Sequence, residues 1–197
     1  MTRACGYPRD VPRTKDPNEP PSCTGPIAGP EVRTQLSRAA LALVEQGGVS
    51  AVTFRAVNER AGLAATTAAS HFTSVDDLLE ATLRYCDDIS AEDLARCECD
   101  PNPIGAFAYW LVGSLTEERI RSIAEYELFL CAARRPAMMP TARRWLTSLG
   151  ALVDTWTESR RAARTICAFI DGLVLQSLIS GEVPEPGAVE ETIRSLL

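Results

Sequence analysis

Three hydroxyl side chains, Thr66, Thr67 and Ser70, fall within the short segment from Ala65 to His71. Hydroxyls of this kind suit phosphate oxygens, and alanine and threonine methyls suit the methyl group of thymine. The segment holds no Arg, Lys, Asn or Gln, so bidentate contacts to base edges would have to come from Arg55 or Asn58 just upstream. For Arg55 the competing expectation is a solvated surface charge. His71 is the only histidine, and its place at a helix end suits packing or capping better than ligation. With one histidine and no paired acids in a plausible cleft, the chain lacks an acid–base constellation, and no enzyme is expected. Cys97 and Cys99 form a Cys-x-Cys pair without a second pair or a nearby histidine, so neither a metal nor a cofactor is expected.

These residues sit in a chain of 197 residues, 46% apolar and 23% charged, which suits one globular domain or two small ones. Its longest nearly apolar run, from Ile166 to Ile179, falls short of the ~18 residues a bilayer span needs, so no membrane partner is expected. The N-terminus lacks the apolar stretch of a secretory signal, which makes the cytoplasm the expected compartment and free thiols the expected state of the seven cysteines. Charge is uneven: residues 1–30 sum to +1, residues 31–75 to +1 and residues 76–197 to −8. A polyanion would be repelled by the back of the molecule and tolerated only at the front.

Seven of the thirteen prolines lie in residues 1–30, which read as a disordered tail whose four basic side chains can brush a nucleic-acid backbone. Beyond it, apolar residues recur every three or four positions, and the chain is expected to be all-α. Val32, Leu36, Ala40, Leu43 and Val44 share one face of a helix that starts after Pro30 and ends at Gly47-Gly48. Thr53 caps a short helix to Arg60, Ala61-Gly62-Leu63 turns, and a second short helix runs from Ala65 to His71. Ser74 caps a long helix from Val75. Helices are then expected over 104–115, from Thr116 to Arg134 or Arg135, over about 141–156 and 160–180, and from Gly187.

Two short helices around a glycine turn are the elements of a helix-turn-helix. The ungapped order of an apolar first helix, a glycine pair, Thr53 with Val57, Ala61-Gly62-Leu63, Thr67, His71-Phe72 and Ser74 before Leu78-Leu79 resembles the DNA-binding domain of the TetR family of transcriptional regulators. The similarity runs from about Arg33 to Tyr85, and YELFLCAARRP looks like carboxyl-terminal domains of some family members. It implies a three-helix DNA-binding domain over 31–75 and a helical effector-binding and dimerisation domain over 76–197. It also implies that Ala65, Thr66, Thr67, Ser70 and His71 belong to the recognition helix in the major groove, with Thr67 meeting phosphate and Arg55 reaching the backbone or a base edge. Ala69 and Val75 stand where the family usually has phosphate-contacting tyrosine and lysine, which predicts weaker phosphate affinity.

The function so implied is that of a homodimeric, ligand-responsive regulator, expected to be a repressor released from a double-stranded DNA operator by a small molecule. The alternative is a dimeric helical interaction protein that has lost DNA binding. Candidate effector-pocket residues are Phe107, Trp110, Tyr126, Phe129, Met138 and Trp145, with Met139 and Cys131 nearby and Glu125, Arg134 and Asp171 as possible orienting charges; ordinary core packing competes for each. The helix from Arg160 is apolar over much of its circumference and needs burial on more than one face. Phe169, Leu175 and Ile179 on it, with Ile193 on the last helix, are therefore the expected dimer interface.

Overall fold

The computed structural model describes residues 29–197. The expected disordered tail lies outside the described residues except at its end, where Gly29 and Pro30 already belong to the first helix, α1 (Gly29–Gly47). Proline is tolerated there because a first-turn N–H has no intrahelical partner to lose. A single 3-10 turn, Val49–Ala51, follows, then α2 (Phe54–Ala61) and α3 (Thr67–His71). The Thr53 hydroxyl caps α2 by accepting the Ala56 N–H at 3.1 Å, and Gly62 ends it at φ 67°, a left-handed conformation that a side chain would strain. α4 (Val75–Glu98) starts at Ser74, whose hydroxyl accepts the Asp77 N–H while the Asp77 carboxylate reaches back to the Thr73 N–H.

The rear helices are α5 (Pro103–Thr116), α6 (Arg119–Ala132), α7 (Met139–Asp154), α8 (Arg160–Ser180) and α9 (Pro186–Leu196). Three boundaries differ from expectation. α3 lacks Ala65 and Thr66, which lie in the preceding turn. Thr116 closes α5 instead of opening α6, because the Glu117 N–H continues the ladder of α5 to the Gly113 carbonyl. α6 stops at Ala132, where short-range bonds from Ala133 and Arg134 tighten the chain ahead of Pro136.

Two apolar cores result. The front one gathers Leu36, Val57, Phe72, Leu78, Leu79 and Leu83 with Leu128 of α6 and Met138. The rear one gathers Phe107, Leu115, Ile166 and Val174, with Val189 and Ile193 of α9 packed along α5. α4 enters both, giving Leu78 through Cys86 to the front core and Leu94 and Cys97 to the rear. Packing is therefore continuous across residue 75, even though a helix begins there. α8 is long and apolar enough to cross a bilayer by length and composition; Ile166, Ile170 and Val174 along it are buried in the rear core.

Candidate nucleic-acid interface and ligand cavity

In the front domain the α2–α3 angle is fixed by one amide. Asn58 is 1% exposed; its Nδ2 donates to the Ala65 carbonyl at 2.7 Å and its Oδ1 accepts the Ala68 N–H at 2.9 Å. Asn58 is thus corrected as a base-reading candidate, since its donors and acceptor clamp the two helices and it is closed to solvent. Arg33 and Gln35 of α1, absent from the sequence-based set, complete the scaffold. Gln35 donates to the Ala61 carbonyl at 2.9 Å. Arg33 donates to the His71 carbonyl, lies 4.1 Å from the centroid of the Phe72 ring and sits 3.9 Å from the Asp77 carboxylate. Nothing local in the sequence announces a bond between residues 33 and 71.

Around α3 the head exposes Arg55, Ala65, Thr66, Ala69 and Ser70 to solvent, with Thr67 and His71 half-buried at the ends of α3. Arg55 is paired with Glu59 at 2.8 Å on the outer face of α2, both side chains well exposed. Ser70 donates to the Thr67 carbonyl at 2.8 Å, which leaves its oxygen lone pairs outward-facing acceptors until the hydroxyl turns.

Behind the head, an empty volume of about 670 Å³, counted out to open solvent, lies among α4, α5, α6, α7 and α8. Phe107, Trp110, Tyr126 and Trp145 line it as expected, and α4 adds Asp87, Ser90, Ala91 and Leu94, which no sequence pattern singles out. Phe129 and Met138 are corrected: Met138 is fully buried in the front core and Phe129 packs against that core. α6 runs past both cores, so a few residues along its axis carry the chain from one into the other. Cys131 follows Phe129 into the front core, and Arg134 and Met139 are not among the lining residues.

Three carboxylates line the cavity. Glu125 accepts from Arg121 at 2.9 Å; burial pushes its carboxyl above the usual range and Arg121 partly offsets this. Asp87, 2% exposed, is paired with Arg144, which also holds Asp88 at 2.6 Å. Asp171 has no hydrogen-bonding or ion-pairing partner among the described residues, and its carboxyl is pushed up by desolvation. Tyr126 is pushed up in turn by burial and by the charges of Asp171 and Glu125.

A hydrogen bond ties the cavity helix to the head. Glu127 on α6 accepts the Val49 N–H at 2.7 Å, two residues after Glu125 and one after Tyr126. Gly48 makes room for it: a Cβ there would lie 2.9 Å from a Glu127 carboxylate oxygen, and the backbone has φ 73°.

On α8, Leu175 and Ile179 are 48% and 78% exposed and Phe169 is half-buried. Ile193 is corrected as an interface residue, because it is fully buried in the chain's own rear core where α9 docks on α5. Cys97 is buried with its thiol pushed up to about 11 by desolvation, whereas Cys99 is exposed. Among the described residues no group of three His, Cys, Asp or Glu could hold a metal ion.

Residues 36–82 match the family model for bacterial regulatory proteins of the tetR family, and residues 103–197 match that for the tetracyclin repressor-like C-terminal domain. The solved multidrug-binding protein EbrR in complex with ethidium is 32% identical, with a TM-score of 0.73, covering 85% of this chain and 99% of that one. The chain belongs to the TetR family. A TetR family member from Streptomyces coelicolor A3 is 31% identical with a TM-score of 0.74, over 85% of this chain and 99% of its own. The HTH-type transcriptional regulator BetI of Serratia proteamaculans is 28% identical over 162 residues, 76% of this chain and 82% of that regulator. This TetR family chain is accordingly a helix-turn-helix transcriptional regulator and not an enzyme, with an all-α fold of reading head and helical C-terminal domain.

Proposed function

We propose that the protein is a cytoplasmic, homodimeric repressor that leaves its double-stranded DNA operator when a small molecule enters the rear cavity. The Glu127 bond to Val49 carries this proposal, because the helix that lines the cavity is the helix tied to the head. A ligand shifts an equilibrium only through its different affinity for the two states, and such a joint lets cavity occupancy favour one placement of the head. EbrR was solved with ethidium, proflavin and malachite green, which supports a small-molecule role for the corresponding cavity here. DNA would be met by Arg55, Ala65, Thr66, Thr67, Ser70 and His71, and the second subunit would cover Leu175 and Ile179.

An electrophoretic shift with the DNA flanking the protein's own gene tests this. A retarded complex is expected that Thr67→Ala weakens on all sequences alike and Arg55→Ala weakens with relaxed sequence preference. Ala69, exposed on α3 without a donor, is what favours the second reading, a dimeric interaction protein that no longer binds DNA; the absence of any shifted band would select it.

A further inference from the structure

We infer that Arg121 is the positioning residue through which the cavity acts on the reading head: Glu125 in the cavity wall holds its guanidinium, and once a guest engages Glu125 the same guanidinium turns to Glu45 at the end of α1. This assignment rests on reading the cavity as the effector site. Arg121 lies one turn before Glu125 on α6, outside the lining. Its Nε donates to the Glu125 carboxylate at 2.9 Å, and its guanidinium lies 3.9 Å from Glu118. Neither pair ties α6 to another helix. The third carboxylate of the cluster, Glu45, is half-buried in the last turn of α1 and belongs to the head.

Burial pushes the Glu45 carboxyl up; Arg121, and after it Arg60 of α2, draw it back, while Glu118 opposes them. Burial likewise pushes Glu125 up, Arg121 draws it back, and Glu118 and Glu45 act on it as like charges. The fully buried Cys86 of α4 feels Glu125, Arg121 and Glu45 together, so these groups converge where α1, α4 and α6 meet. Two carboxylates from different parts of the molecule thus compete for one permanently charged guanidinium. With the cavity free, Glu125 holds it through a hydrogen bond. A guest that donates a hydrogen bond or a proton to Glu125 loosens that hold. Glu118 is a poor substitute, because it is exposed and its attraction is screened; at the half-buried Glu45 the screening is weaker. The resulting pull falls beside the joint already described, since Glu45 and Val49 flank Gly47-Gly48 and Glu127 holds Val49 from the same helix. Glu127 does not line the cavity and serves as the fixed pivot; Arg121 is the contact whose partner a guest changes.

Glu125→Gln removes the competing charge at nearly constant shape, and so imitates an engaged guest whatever its identity. Amide hydrogen exchange over residues 45–52, followed by mass spectrometry on the full chain, reads the joint directly and needs no DNA. Glu125→Gln should slow this exchange by about three- to fivefold, the scale of one partly screened ion pair. With Arg121→Met or Glu45→Gln already present, the same substitution should change it by less than about twofold, whereas a purely structural effect of Glu125→Gln would persist in both backgrounds. Arg121→Lys keeps the charge, should retain part of the response and shows that the cluster still folds. Operator affinity, measured on the DNA beside the protein's own gene, should fall by a similar factor in Glu125→Gln, again only while Arg121 and Glu45 are both present. Exchange that is unchanged or faster in Glu125→Gln, or slowed equally in all three backgrounds, overturns the role of Arg121 while leaving an effector cavity in place. Exchange that follows the expected pattern with operator affinity unmoved supports the Arg121 switch and overturns the effector reading.

Discussion

The reading head and the junction of α5, α8 and α9 in the rear bundle each have an apolar core, but the head adds directed polar ties between its helices. In the head, Asn58 ties α2 to α3, Gln35 ties α1 to α2, and Arg33 ties α1 to the end of α3, all through directed polar bonds. In the rear bundle α5, α8 and α9 meet mainly through Phe107, Leu115, Ile166, Val189 and Ile193, with polar bonds such as Asn102 to Glu190 at the edge. Directed bonds fix one geometry, which a surface that must match a DNA groove requires. Apolar packing is non-directional, so it fixes the angle between helices less strictly than such bonds do. The two regions meet at α6, which contributes to both cores and carries Glu127.

Four variants would break or sharpen this contrast. The largest effect is expected from Leu175→Asp combined with Ile179→Asp: if a second subunit covers these side chains, each change buries an unpaired charge at about 3–5 kcal/mol and the dimer dissociates in sedimentation velocity. Monomer folding should hardly change, since both positions are exposed in the single chain. Ile193→Ala should cost about 2–4 kcal/mol of unfolding free energy in urea while leaving the association state as it was, because its side chain is fully buried within the chain. Asn58→Ala strands the Ala68 N–H in a buried place and should cost about 2 kcal/mol, with operator affinity falling through loss of head geometry. Glu127→Ala removes one bond at a solvent-exposed joint, about 1 kcal/mol at most. Its signature would be functional: a ligand still binds by calorimetry, but releases DNA less completely.

The head was largely legible in the sequence because its determinants are local. Thr53 and Ser74 as caps, Gly62 as the turn and the apolar spacing of α1 all act within a few residues of where they stand. Asn58 misled for an instructive reason: an exposed amide and an amide bonded ten residues away look alike in one dimension. The rear domain offered only stripes of apolar and aromatic residues. Such stripes reveal that a face is buried without revealing against what: Met138 and Ile193 look like pocket and interface residues, yet each fills a core of the single chain. Asp87 and Ser90 face the cavity from the middle of α4, a placement set by where α7 packs on that helix, which no spacing rule contains.

Nuclease footprinting on the DNA beside the protein's own gene tests the central claim most directly, since it reads the head, the dimer and their symmetry together. Two protected half-sites related by a two-fold axis are expected, with centres about one helical turn apart or a multiple of it, and protection should vanish for the Leu175→Asp, Ile179→Asp double variant. A single asymmetric footprint, or full protection by a double variant that sediments as a monomer, would contradict the account.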